Sequence, residues 1–280
     1  MIHEVRENVK RKFIVDGKKS LCYTNKVKKT RRRPVGGTHM KAIVKKFIRL
    51  VIGLAIMSFG SAMALQANMG MEPWDVLNHG VSVFLKDVTI GGVQVFTFGR
   101  ANITIGFTIL FIDLLFKEKV GFGTFINILI CGNIIDLVTG ALIPGFALLP
   151  DYTACATMAE HFVPRLLLCV FSVVPAAYGM YVYMSAKLGS GPRDGLMCVV
   201  TRRLPKVPVG AIRVVLEGLA LIIGWLLGGT VGVGTIILVC SSGPVMQLIF
   251  KLAKFDVKEL RNETIPETLA PIRAARTKSA

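Results

Sequence analysis

From Leu50 to Phe250 the chain carries only 21 charged side chains in 201 residues, and three stretches within it carry none. Leu50–Met71 runs 22 residues without a charge, Leu166–Ala186 runs 21, and Gly218–Phe250 runs 33. A helix needs roughly 20 apolar residues, at about 1.5 Å of rise each, to cross a hydrocarbon core about 30 Å thick. A water-soluble fold would have almost nothing polar with which to cover its surface. Over all 280 residues the charged share is 18%, against about 25% in ordinary soluble domains, and most of it lies at the two ends. Residues 1–49 hold 16 Lys/Arg and 3 Asp/Glu, and residues 251–280 hold 7 and 4. This pattern is that of an integral membrane protein. It excludes a disordered chain, a disulfide scaffold and a secreted enzyme.

Taking the less uniform middle as two further stretches, and splitting the last run at Gly228-Gly229-Thr230-Val231-Gly232, predicts six long membrane helices. They fall near 47–67, 94–116, 122–148, 163–186, 208–227 and 232–250. Two helix-like segments, Trp74–Lys86 and Arg193–Leu204, have 13 and 12 residues. Each reaches about 20 Å, short of a crossing.

An internal repeat orders these segments. Met69-Gly70-Met71-Glu72-Pro73-Trp74-Asp75-Val76-Leu77 matches Leu188-Gly189-Ser190-Gly191-Pro192-Arg193-Asp194-Gly195-Leu196 at a spacing of 119. Val120-Gly121-Phe122-Gly123-Thr124 matches Val231-Gly232-Val233-Gly234-Thr235 at a spacing of 111. Three crossings per half is an odd number, so the halves are inverted if the short helices are re-entrant or interfacial. The expected fold is therefore an all-α integral membrane protein: six long transmembrane helices in two inverted 3+3 repeats, each with a short re-entrant or interfacial helix. The expected organisation is a basic, disordered cytoplasmic extension over 1–46, a first membrane repeat over 47–149 and an outer linker over 150–162. A second repeat over 163–251 and a polar cytoplasmic tail over 252–280 follow. With both termini in the cytoplasm, 30 of the 34 Lys/Arg fall on the cytoplasmic side, as the positive-inside rule asks. An eight-crossing alternative would place Lys117, Lys119 and Lys187 outside.

The two G-x-x-P-x-D motifs are the first functional candidates. Proline suits the first turn of a helix, and an Asp two residues on complements the helix dipole there. Asp75 and Asp194 can thus be plain helix starters. Gly/Pro-interrupted short segments at matching positions of two halves also mark solute sites in inverted-repeat transporters. Where the first copy has Trp74 the second has Arg193, a natural partner for an anionic group or, equally, a topology charge. Charges within spans cost about 2.5–3.5 kcal/mol at the bilayer centre and need partners. Asp136 and Arg100 lie on adjacent antiparallel helices and are expected to pair, and Arg213 and Glu217 stand four apart on one face. Asp75, Asp194, Arg193, Asp136 and Glu217 form a candidate solute or ion pathway; structural pairing is the competing account for Arg100, Asp136, Arg213 and Glu217.

Several motifs carry a resemblance to a known family. Gly70-x-x-Pro73-Trp74-Asp75-Val76-Leu77, Leu188-Gly-Ser-Gly-Pro-Arg-Asp-Gly195, Gly224-Trp-Leu-Leu-Gly-Gly-Thr-Val-Gly-Val-Gly-Thr235 and Gly243-Pro244-Val-Met-Gln247 together resemble the YczE/YyaS/YitT-type bacterial membrane proteins. The second half is most similar to the YczE branch. The resemblance covers about Lys45 to Lys251 and implies a multi-pass protein of the bacterial cytoplasmic membrane, without implying a biochemical activity. Relatives of this kind start just before the first span, so the 39 residues before Met40 read as an extension, with Met40 an alternative start.

No C-x-x-C spacing, paired histidines, serine elbow or carboxylate pair occurs, so neither an enzyme nor a cofactor nor a metal is expected. The basic tail is expected to meet anionic lipid, at about 1 kcal/mol per basic residue, rather than nucleic acid. The chain reads as a small-solute transporter or exporter with a site between the repeats. The alternative is a membrane component that scaffolds or regulates a partner.

Overall fold

Long apolar runs with little to interrupt them fold as helices, since only a helix satisfies its own backbone in lipid. The computed structural model describes residues 4–15, 18–29, 37–90, 93–116, 120–143, 147–153, 161–189, 191–204, 206–207 and 209–255. Two strands, β1 (Glu4–Val15) and β2 (Lys18–Lys29), precede helices α1 (Gly37–Ala67) and α2 (Pro73–Phe84). A minute hairpin, β3 (Thr89–Ile90) and β4 (Val93–Gln94), leads into α3 (Phe98–Leu115) and α4 (Phe122–Val138). The second half comprises α5 (Phe162–Met184), α6 (Pro192–Arg203), α7 (Val209–Leu226) and α8 (Val233–Leu252).

Four helices among the described residues are long and apolar enough to cross a membrane: Ile43–Ala67 of α1, Phe98–Leu115, Phe162–Met184 and Val233–Leu252. Their outer faces are apolar, with Phe111, Phe171 and Ile236 exposed, while Ser58, Asn78, Asp136 and Arg165 are buried. Polar inside and apolar outside is the arrangement that lipid selects. The chain is a membrane protein.

Three expectations need correction. The N-terminal extension is not featureless: β1 and β2 pair antiparallel from Glu4 opposite Lys29 to Val15 opposite Lys18. Its sequence holds the signal, with β-branched and aromatic residues among the lysines and Asp16-Gly17 between the strands, a dipeptide favoured in hairpin loops. The fourth element stops at Val138 rather than near 148, because Gly140 takes a left-handed φ of 81° just past the Thr139 cap. The element expected from 94 starts at Phe98, so Arg100 sits in the first turn of α3, at the very end of that candidate span. Most of the polar C-terminal tail, 256–280, lies outside the described residues, as do Lys117, Lys119 and Cys155.

Packing follows the repeat. α1 lies along α5, α1 on α4 and α5 on α8, while α2 packs on α7 as α3 packs on α6. Gly60 of α1 meets Ser172 and Ala176 of α5; Gly179, 119 residues after Gly60, meets Gly53 and Met57, which stand 119 before Ser172 and Ala176. The V-G-x-G-T motifs behave likewise. The Gly123 N–H donates to the Leu188 carbonyl at 2.9 Å, and the Gly234 N–H to the Met69 carbonyl at 2.8 Å. Each half thus starts its last helix on the motif loop of the other. Gly70 (φ 112°) and Gly189 (φ 140°) are required there: both hold backbone conformations other residues rarely adopt. A Cβ on Gly70 would strike Thr235, and one on Gly189 would meet Thr124 at 3.2 Å.

Candidate functional site

α2 and α6 begin at the prolines of the repeated motif, Pro73 and Pro192, with Asp75 and Asp194 in their first turns. Between these two helix starts lies a cavity of about 450 Å³, within the range that holds small-molecule ligands. Both motif copies line it, together with residues of α1, α3, α4, α5, α7 and α8. Four of the five expected pathway residues, Asp75, Arg193, Asp194 and Glu217, are on its wall.

The site is built across the repeat. The Arg193 guanidinium reaches Asp75 Oδ1 at 3.4 Å and stands 5.4 Å from the centre of the Trp74 ring, a cation–π distance. Trp74 and Arg193 occupy equivalent motif positions, so a place where the copies diverge in character is where they stack on each other. Asp75 also accepts from Asn78 Nδ2 at 3.4 Å. Neither N-cap residue, Glu72 or Gly191, makes a side-chain cap. Asp194 lies against the Tyr183 hydroxyl and the Gly191 N–H, with the Arg213 and Arg193 cations in its surroundings. Arg213 Nε donates to Glu217 Oε1 at 2.7 Å, the expected i,i+4 pair, and both side chains face the cavity.

Asp136 lies elsewhere. Its carboxylate accepts from Thr97 Oγ1 and, at 2.8 Å, from the Gly99 N–H, so it closes the N-terminus of α3 from the neighbouring helix. It lines a smaller hollow with His79, Lys86 and Gln94, apart from the central cavity. The expected Arg100–Asp136 bridge is not formed. Arg100 begins α3 and turns its guanidinium to the carbonyls of Gln94 and Val95, at 3.3 and 2.9 Å. Arg165, buried in α5, plays the complementary role, donating to the Ala67 carbonyl at 3.0 Å and to that of Asn68 at the end of α1.

One functional candidate escaped the sequence reading. Glu72, immediately before Pro73, lines the cavity, with Asp75, Arg193, Glu217 and Arg213 as its charged neighbours. A charge directly before a motif proline in an otherwise charge-free stretch is the signal; it was masked because its repeat counterpart is Gly191.

The family described as "Family of unknown function (DUF6198)" matches residues 44–251. An uncharacterised membrane protein YczE of Bacillus subtilis is 27% identical over 225 residues, covering 80% of this chain and 92% of its own. An uncharacterised protein of Haemophilus influenzae is 27% identical over 203 residues, 72% of this chain and 82% of that one. YyaS of Bacillus subtilis is 22% identical over 209 residues, 75% and 94% of the two chains. No solved structure matches the chain. The chain belongs to the DUF6198 family.

Proposed function

We propose that this DUF6198 member is a small-solute transporter or exporter of the bacterial cytoplasmic membrane, binding its solute in the cavity between α2 and α6. One observation carries the reading: the two copies of a single motif, 119 residues apart, supply Glu72, Asp75, Arg193 and Asp194 to one cavity. Broken or short helices meeting from two halves are how inverted-repeat transporters build solute sites. The exchange of contacts between α1 and α5 is what a two-fold relation between the halves requires.

In this reading α1, α3, α4, α5, α7 and α8 cross and the 12-residue α2 and α6, about 18 Å long, do not. Both termini lie in the cytoplasm, and the basic extension rests on anionic lipid. The protein performs no covalent chemistry. Reporter fusions test the inversion: activity in 150–160 and none in 198–206 is expected of an outward and an inward segment.

Function is tested by flux. A screen of small metabolites for stabilisation of purified protein identifies a solute, and its uptake or efflux in vesicles is then measured. Asp194→Asn or Glu217→Gln, with the folded protein retained, is expected to abolish that flux. Undiminished flux removes those residues from the pathway. Co-purification of a stoichiometric partner, without any solute effect, would favour the scaffolding role instead.

A further inference from the structure

The cavity has an unequal charge balance and an unequal wall. Four carboxylates face it, Glu72, Asp75, Asp194 and Glu217, against two guanidinium groups, Arg193 and Arg213. Each guanidinium is committed to one acid, Arg193 to Asp75 and Arg213 to Glu217. The Glu72 carbonyl accepts from the Val76 N–H at 2.8 Å, while its carboxylate is paired with neither guanidinium. A surplus of acidic groups lined by Trp74, Tyr183 and aliphatic side chains complements a positive group on an apolar body.

The wall is open on one side. Val214 of α7 and Val239 of α8 both line the cavity, yet they are 69% and 46% exposed. Ile128, which stands 111 residues before Val239 on the opposite wall, is 2% exposed and packs on Gly106. α7 and α8 share no such packing among the described residues, and a Cβ on Gly243 would meet nothing within 4 Å. Both helices otherwise present an apolar face, with Val215, Ile222 and Ile236 exposed, so the gap gives onto lipid.

We infer that the solute of this cavity is an organic cation with an apolar body, and that it passes between the bilayer and the site through the cleft between α7 and α8. The inference rests on reading the cavity as the solute site and adds the class of solute and its route. The positive centre sits beside Glu72 and Asp194, the two acids to which no guanidinium is hydrogen-bonded. The apolar body trails toward Val214 and Val239.

Tetraphenylphosphonium and tetraphenylborate test it, since they share shape and hydrophobicity and differ in sign. In full-length protein carrying Trp225→Phe, Trp74 is the only tryptophan left, and its fluorescence reports occupancy. Tetraphenylphosphonium is expected to quench it saturably, and tetraphenylborate is not. Glu72→Gln is expected to weaken the cation at least tenfold while the protein stays monodisperse with an unchanged Tm. Asp194→Asn supplies a second, independent variant should the first misfold. Gly243→Leu, which fills the cleft, is expected to slow association several-fold. Equal or tighter binding of the anion overturns the inference, as does cation affinity that both acid variants leave unchanged. If neither ion binds but a metabolite stabilises the protein, this inference falls and the transporter reading stands. If no ligand of any kind binds, both fall.

Discussion

In the first half α3 and α4 meet backbone to backbone. Gly99 and Gly132 are pressed against each other's carbonyl oxygens, and Ile128 fills the space above Gly106. In the second half the matching residues, 111 further on, are Gly210, Gly243, Val239 and Glu217. The small pair is retained, yet a Cβ on Gly243 would meet nothing, Val239 is exposed, and the glycine floor has become an acid. One half uses its glycines to close a wall and the other leaves the same wall parted. The difference teaches that a close-packing motif licenses an approach without enforcing it. What decides is the rest of the interface, and on α7 that interface carries Arg213 and Glu217 where α3 carries Asn102 and Gly106.

The largest expected effect contrasts the two walls directly. Gly132→Leu should yield no monodisperse protein, because the obstacle is the backbone of α3, and overpacking costs about 1–3 kcal/mol even where side chains can yield. Gly243→Leu should shift Tm by no more than a few degrees in the same assay. Equal damage at Gly243 would mean that α7 and α8 close on each other in the membrane.

Next come the motif loops. Gly70→Ala and Gly189→Ala should each lower Tm, by about 1–3 kcal/mol for the left-handed backbone alone, with Gly70 the worse since its Cβ meets Thr235 more closely. A harmless change at either would break the equivalence of the two loops.

A third contrast separates two buried acids. Asp136→Asn weakens charge-assisted hydrogen bonds to α3 and should cost about 1–2 kcal/mol of stability while leaving ligand binding intact. Asp194→Asn should do the reverse. The smallest effect is expected at Arg213→Gln. An exposed i,i+4 pair contributes about 0.2–0.5 kcal/mol, so Tm should barely move.

Much of this was legible in the sequence because its signals are local. Pro73 and Pro192 fix where α2 and α6 begin, and both helices start on them. The spacings of 119 and 111 paired residues that do turn out to make equivalent contacts. What stayed hidden depends on neighbours distant in the chain. Asp136 reads as a charge stranded in a span until the free N–H groups of α3 are known to end beside it. The end of α4 was overrun because apolar residues continue past Gly140, and hydropathy does not register a turn. Glu72 does not stand out from the repeat because its counterpart is Gly191, whereas asymmetry of the cavity arises where the copies differ. Likewise, nothing in the repeated glycines says that one wall stands open.

The reciprocal pair of backbone bonds, Gly123 to Leu188 and Gly234 to Met69, has a consequence for how such a chain is made. During synthesis α4 is complete before the loop that anchors its first turn has been translated. The carbonyl of Met69 waits longer still, until α8 arrives. Assembly of either half is therefore provisional while it is alone. The last of the described helices to leave the ribosome is also the one that latches the loop after α1, so truncation before Val233 should undo the first half of the bundle as well as its end.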